Sequence, residues 1–169
     1  MRRTERGFTL VEMIVVIAVL AILAATASVS IADINTMRRD MAARKIVSDI
    51  RLAQDLAIAR HFNTWVAFDI TTNQYTMYLE NPLMPGKANR RIAKDPLTQG
   101  TFIIPLGDQK NPGVQLTSVD IGGTPEIHFD KFGFPTNADD VRLTIPGFIM
   151  VNMLRKISIT PGTGRVQLE

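Results

Sequence analysis

Between Phe8 and Asn81 the chain has no glycine and no proline, and the twenty residues 13–32 carry no formal charge and are dominated by isoleucine, valine, leucine and alanine. Few folds accept such a stretch. At ~1.5 Å per residue, twenty apolar residues cross the ~30 Å hydrocarbon layer of a bilayer, and nothing obvious breaks the helix where the charged residues begin. Beyond the apolar run, Ala42, Ile46, Ile50, Ala53 and Ala57 recur at helical spacing, while Arg44, Lys45, Asp49, Arg51 and Asp55 mostly occupy other faces. The pattern predicts one helix ending near Arg60 or His61, ~53 residues and ~80 Å long. Its first half is a membrane segment and its second half packs on a domain.

Three arginines, Arg2, Arg3 and Arg6, precede the apolar run, so the positive-inside rule keeps the start of the chain in the cytoplasm and sends the body outward. A secretory signal peptide is the competing reading, with Ala25-Thr26-Ala27 as its cleavage site. Glu12 argues against it, because a carboxylate near the start of an apolar segment costs several kcal/mol unless it is paired, and a signal sequence has no use for one. The formal charge of +3 falls to about +1 once Arg2, Arg3, Arg6 and Glu5 are set aside, so the remaining chain has a weak long-range field. There is no cysteine, which excludes disulfides and thiolate chemistry.

The run Arg6-Gly7-Phe8-Thr9-Leu10-Val11-Glu12, followed by Met13 to Leu20, resembles the N-terminal signature of type IV prepilins and type II secretion pseudopilins. It combines a short basic leader ending in glycine, a phenylalanine, a glutamate four residues later and an unbroken apolar helix. The resemblance implies an α+β, type IV pilin-like fold: a long N-terminal helix, its first half transmembrane, packed by its second half on a β-rich antiparallel domain. It implies a leader at 1–7 removed by a prepilin peptidase between Gly7 and Phe8, N-methylation of Phe8, a membrane half of the helix over 8–34 and a periplasmic domain over 35–169. It also implies that Glu12 faces the amino terminus of a neighbouring subunit during assembly. The partners are then other pilins or pseudopilins, the peptidase and the inner membrane, and the chain is the peptidase's substrate rather than an enzyme.

After the helix, β-prone runs at 64–70 and 74–80, joined by Thr71, Thr72 and Asn73, read as a hairpin. Further strands are predicted at 101–106, 114–119, 126–130, 141–145, 156–160 and 165–168, the last after the turn Pro161-Gly162-Thr163-Gly164. Residues 81–100, with Pro82, Pro85, Gly86 and Pro96 around Lys87, Arg90, Arg91 and Lys94, read as an exposed loop. Leu52 to Arg60 leading into Trp65-Val66-Ala67-Phe68, then Ile127 to Gly133, and finally Ile157 to Thr160 before Gly164-Arg165-Val166 resemble the GspH/FimT group of minor pseudopilins and minor pilins. DNA-binding members of that group are associated with a terminal Gly-Arg-x-Arg pattern. Gln167 stands in place of the second arginine, so Arg165 is expected to support at most weak DNA contact.

No catalytic, dinucleotide or phosphate-loop motif occurs. His61 and His128 lack the spacing of a zinc site. Asn137, Asp139 and Asp140, near Asp130, gather oxygen ligands without the spacing of a calcium loop. No cofactor or metal is expected. Three functions compete: a minor pseudopilin of a type II secretion pseudopilus; a minor type IV pilin of a pilus or DNA-uptake system; and a membrane-anchored periplasmic sensor or enzyme, which the absence of a catalytic constellation disfavours.

Overall fold

The computed structural model describes residues 8–108 and 112–169, without the side chains of 26–33. Helix α1 spans Leu10–Arg60, ending where the sequence predicts. The chain divides into two compact units, one up to Met37 and one from Arg38 to Glu169. In the first unit the described side chains are exposed throughout, among them Phe8, Leu10, Ile14, Ile17, Leu20 and Leu23.

The second unit holds the core. Ala42, Ala43, Ile46, Val47, Ile50, Ala53 and Ala57 form the buried stripe of its helix, and the four alanines let the sheets approach the backbone closely. The expected hairpin forms, of β1 (Thr64–Asp69) and β2 (Gln74–Leu79), with Thr64 opposite Leu79. Asp69 Oδ1 closes its turn by accepting from the amides of Thr71 and Thr72 at 2.9 and 3.1 Å. Short strands β3 (Arg91–Ile92) and β4 (Ile103–Pro105) both pair with β2. Strands β6 (Glu126–Phe129) and β7 (Pro135–Thr136) complete a sheet of order β3-β2-β1-β6-β7, with β4 off that path.

The second sheet contains β5 (Leu116–Asp120), β8 (Gly147–Val151), β9 (Arg155–Ile159) and β10 (Val166–Leu168), in the order β10-β9-β8-β5 and antiparallel throughout. Inward residues of both sheets, including Val66, Phe68, Met77, Ile127, Phe129, Ile149, Val151, Ile157, Ile159 and Val166, join the helix stripe in one cluster. Asn73 ties the sheets together: its Nδ2 donates to the carbonyls of Leu106 and Val114 at 2.6 and 2.9 Å, and its Oδ1 accepts from Leu116 N at 2.9 Å.

The structure corrects three expectations. The run 141–145 makes only a bridge between Arg142 and Thr136, whereas Gly147–Val151, a short apolar run without polar alternation, is a central strand. Residues 81–100 are not a simple exposed loop, because Arg91–Ile92 pairs with β2 and Ala93 and Asp95 are buried. Asp49 does not lie on the polar face of the helix. It is 3% exposed, one residue before Ile50 on the buried stripe, and is satisfied there by Lys45 Nζ at 2.6 and 2.8 Å and by the Tyr75 hydroxyl at 2.5 Å.

Candidate assembly and interaction sites

Gly7 lies outside the described residues, as do the arginines before it. Phe8 and Glu12 are described, and Thr9 between them starts the helix. Its carbonyl accepts from Glu12 N at 3.1 Å and Met13 N at 3.3 Å, and its Oγ1 accepts from Glu12 N at 3.3 Å. This is an N-cap followed three residues later by glutamate, the order of a capping box. A carboxylate in the first turn also complements the positive end of the helix dipole. Glu12 thus sits as a lone acid on a wholly apolar, exposed surface one turn from Phe8, able to accept an ammonium. Among the described residues no helix is long and apolar enough to cross a membrane. The expected span, 13–32, includes positions from 26 onward whose side chains fall outside the description.

Most of the basic residues of the 81–100 segment and of the last strands are drawn into contacts within the body. Arg90 Nη1 meets Glu126 Oε2 at 2.8 Å, and the guanidinium lies 4.0 Å from the Tyr78 ring centroid and 5.8 Å from that of Trp65. Lys87 Nζ meets Glu126 Oε1 at 3.0 Å and donates to Ala138 O at 2.8 Å. Arg91 donates to Asn81 Oδ1. Arg155 forms a two-pronged pair with Asp40, at 2.5 and 2.9 Å, and Lys156 meets Glu169 at 3.2 Å. With the Gln167 amide oriented by its neighbours, its oxygen accepts from Arg165 Nε at 2.8 Å and Nη2 at 3.0 Å. Gln167 therefore occupies the guanidinium it follows instead of adding a second charge beside it.

Three separated segments singled out in the sequence converge on one helix side chain. Gln54 Nε2 donates to Gly133 O at 2.9 Å and to Thr163 O at 2.8 Å. Both flanking glycines have left-handed backbones, with φ of 83° at Gly133 and 70° at Gly164. A Cβ at Gly164 would stand 2.7 Å from Gln54 Nε2 and 2.9 Å from the buried Phe129 ring, and one at Gly133 would stand 2.7 Å from Ile58. The glycines let two loops touch the helix; no ligand chemistry is involved.

His128 is buried, stacked on Trp65 with ring centroids 4.9 Å apart, and its Nδ1 lies 2.7 Å from Thr136 Oγ1 and 2.6 Å from Asp140 Oδ1. Burial holds its pKa below the ordinary 6.5, although Asp140, Asp130 and Glu126 pull the other way. Asn137 Oδ1 accepts from the amides of Asp139 and Val141 at 2.9 and 3.0 Å, so the oxygen-rich loop is organised by its own backbone. No cluster able to hold a metal occurs among the described residues. His61 stands at the helix end with φ of 54°, a helix-terminating conformation. A groove of about 600 Å³ opens between the helix and β2–β3, floored by Leu52, Leu56, Met77 and Phe102 and rimmed by Arg60 and Lys94.

The sequence did not assign roles to Gln54, Asp49, Tyr75 or Glu126. Only Asp49 carried a signal, in its position beside Ile50 on the apolar stripe.

Residues 2–28 match the prokaryotic N-terminal methylation motif. No curated protein sequence matches the chain. Among solved structures, the minor pseudopilin EpsH from the type 2 secretion system of Vibrio cholerae is similar to it, with a TM-score of 0.53 and 16% identity over 78% of this chain and 96% of that one. A second crystal structure of the same minor pseudopilin aligns with a TM-score of 0.53 and 14% identity over 78% of this chain and 92% of that one. The chain thus joins an N-terminal methylation motif to the α+β fold of a minor pseudopilin, the architecture its sequence predicts.

Proposed function

We propose that this chain is a minor pseudopilin, a structural subunit of a type II secretion pseudopilus. In this reading a prepilin peptidase removes residues 1–7, cutting between Gly7 and Phe8, and Phe8 is then N-methylated. Residues 8–34 lie in the inner membrane and residues 35–169 in the periplasm until the subunit is drawn into a filament. The observation that carries the reading is the occurrence in one chain of a methylation motif over residues 2–28 and a body with the fold of EpsH. The wholly exposed apolar surface from Phe8 to Leu23 supports it, because a single copy leaves that surface uncovered and lipid or neighbouring helices would cover it.

Glu12 is the assembly residue of this reading. A carboxylate in apolar surroundings is tolerable when an ammonium satisfies it, and the pair then fixes a register that packing alone would let slide. The terminal amine of a neighbour's Phe8 supplies that ammonium. Glu12→Ala removes a costly charge and leaves insertion intact while impairing incorporation into filaments; normal incorporation in isolated fibres would count against the pairing. Intact-mass and N-terminal analysis of protein made alongside a prepilin peptidase tests processing. The expected chain starts at a methylated Phe8, and one starting at Ser28 would establish the secretory-signal reading instead.

A minor type IV pilin, including one serving DNA uptake, shares the methylation motif and is the competing function. The pairing of Arg165 with Gln167, and of Lys87 and Arg90 with Glu126, favours secretion, since duplex affinity rests on several cations free to meet phosphates together. A gel shift at ~0.15 M salt is expected to give at most weak, nonspecific binding. Micromolar or tighter binding abolished by Arg165→Ala would reverse the ranking.

A further inference from the structure

The β8–β9 turn occupies a defined end of the body. Arg155, the first residue of β9, grips Asp40 through Nε and Nη2 at 2.5 and 2.9 Å. Toward the other end of that strand, Ile159 pairs with Val166, whose carbonyl accepts from Arg51 Nη2 at 2.7 Å. Strand β9 therefore runs alongside the helix from Asp40 toward Arg51. The turn before it, residues 152–154, lies at the end of the body where the helix enters, at Arg38.

This turn is rigid and apolar. Asn152 and Met153 both have left-handed backbones, φ 53° and 57°, and Leu154 N bonds Val151 O at 3.1 Å, within a three-residue hairpin loop between the paired Val151 and Arg155. Methionine is an unfavourable occupant of the second position, where glycine is the residue that fits. The surroundings nevertheless lock it. Asn152 donates through Nδ2 to Gly113 O at 2.8 Å and accepts through Oδ1 from Gln115 N at 3.0 Å, while Met153 N donates to Thr117 Oγ1 at 3.1 Å. The locked turn holds Met153 and Leu154 outward, 77% and 65% exposed. Arg155, next to the turn, is held by Asp40, and Lys156 by Glu169, while Arg38 and Arg39 directly precede Asp40 on the helix.

We propose that this turn contacts an anionic lipid surface, with Met153 and Leu154 entering the headgroup–acyl boundary and the arginines at positions 38 and 39 meeting lipid phosphates. The proposal rests on the membrane-anchored reading above. Two apolar side chains on a turn are far too small for a stable protein–protein interface, whereas an apolar tip flanked by cations has the chemistry of an interfacial contact. Such a contact is weak alone. It gains force because a span already tethers the body at high effective concentration.

The chain has no cysteine, so single cysteines can be spin-labelled without background. Three full-length variants are reconstituted in vesicles containing phosphatidylglycerol: Ile17→Cys, Met153→Cys and Thr163→Cys. Thr163 serves as the distant control, because its carbonyl meets Gln54, ~20 Å further along the helix than Asp40. The label at 153 is expected to collide with a water-soluble nickel complex at least about threefold less than the label at 163, and more with oxygen, as an interfacial site does. A label at 153 as wet as that at 163, with 17 embedded, overturns the turn's role and leaves the anchor standing. A wet label at 17 overturns the anchor and the inference with it. Protection at 153 that appears only at high protein-to-lipid ratio assigns the tip to a second copy and likewise overturns the proposal.

Discussion

Two stretches of one helix, both carrying apolar side chains, have opposite fates. From Phe8 to Leu23 the apolar side chains surround the helix and are exposed, whereas from Ala42 to Ala57 they form a stripe covered by the protein's own sheets, with Leu52 and Leu56 half-buried at its margin. The difference lies in content and in arrangement, since the first stretch has only Thr9 and Glu12 as polar residues and the second is interrupted by charges on its other faces. A stripe asks for a partner on one side and leaves the other side wet, so a domain can supply it. A helix apolar on all sides can be satisfied only by an environment that surrounds it. One continuous element thus presents two kinds of apolar surface.

The sharpest test of that contrast makes one substitution in each stretch. Ile50→Ala removes a fully buried side chain and should destabilise the body by about 3–4 kcal/mol. Ile17→Ala should leave the body's thermal midpoint unchanged. A comparable loss at both sites, followed by circular dichroism, would dissolve the distinction. Next in size is Asp49→Ala, which removes the acceptor of the buried Tyr75 hydroxyl and the partner of Lys45, at an expected cost of about 2–4 kcal/mol. Its effect should be confined to the body, which urea melts of the full chain would read.

A smaller effect tracks pH. Because burial keeps the folded pKa of His128 below 6.5, the unfolded chain binds a proton first as the pH falls, and stability drops below about pH 6.5. His128→Gln should flatten this limb between pH 6.5 and 5, before the carboxylates titrate; an unchanged limb would mean that another group is responsible. Tyr75, its pKa raised by burial and by Asp49, acts at the opposite end: the unfolded tyrosine ionises first, so stability declines above about pH 10. Smallest is Met153→Gly, which relieves a left-handed methionine and should raise stability by about 0.5–1 kcal/mol. A loss instead would mean that Met153 packs on the body after all.

The helix, its end at Arg60, the first hairpin and the final strand were legible because each rests on local pattern: helical spacing, a turn-rich junction, alternation. Gly147–Val151 was not, since a central strand reads as a plain apolar run with no alternation to mark it. Asp49 was misread because a charge normally marks the wet face, and its reason for being buried, Tyr75, sits on a distant strand. The basic residues showed their number but not their partners. Whether Arg90 is free depends on Glu126, and whether Arg165 is free depends on the rotation of one amide.

The pairing of Asp40 with Arg155, of Arg51 with Val166 and of Gln54 with Thr163 has a kinetic consequence. Each joins the helix to residues more than a hundred positions later. The helix and the β1–β2 hairpin, which meets it through Tyr75–Asp49 and Thr64–Ala53, leave the ribosome well before the last strands. Ile46, Ile50 and Ala53 therefore lack the second sheet's share of their cover until β8, β9 and β10 emerge, and the core is completed late. A truncation before Val166 should yield an aggregating species rather than a smaller domain, because the core then lacks part of its cover.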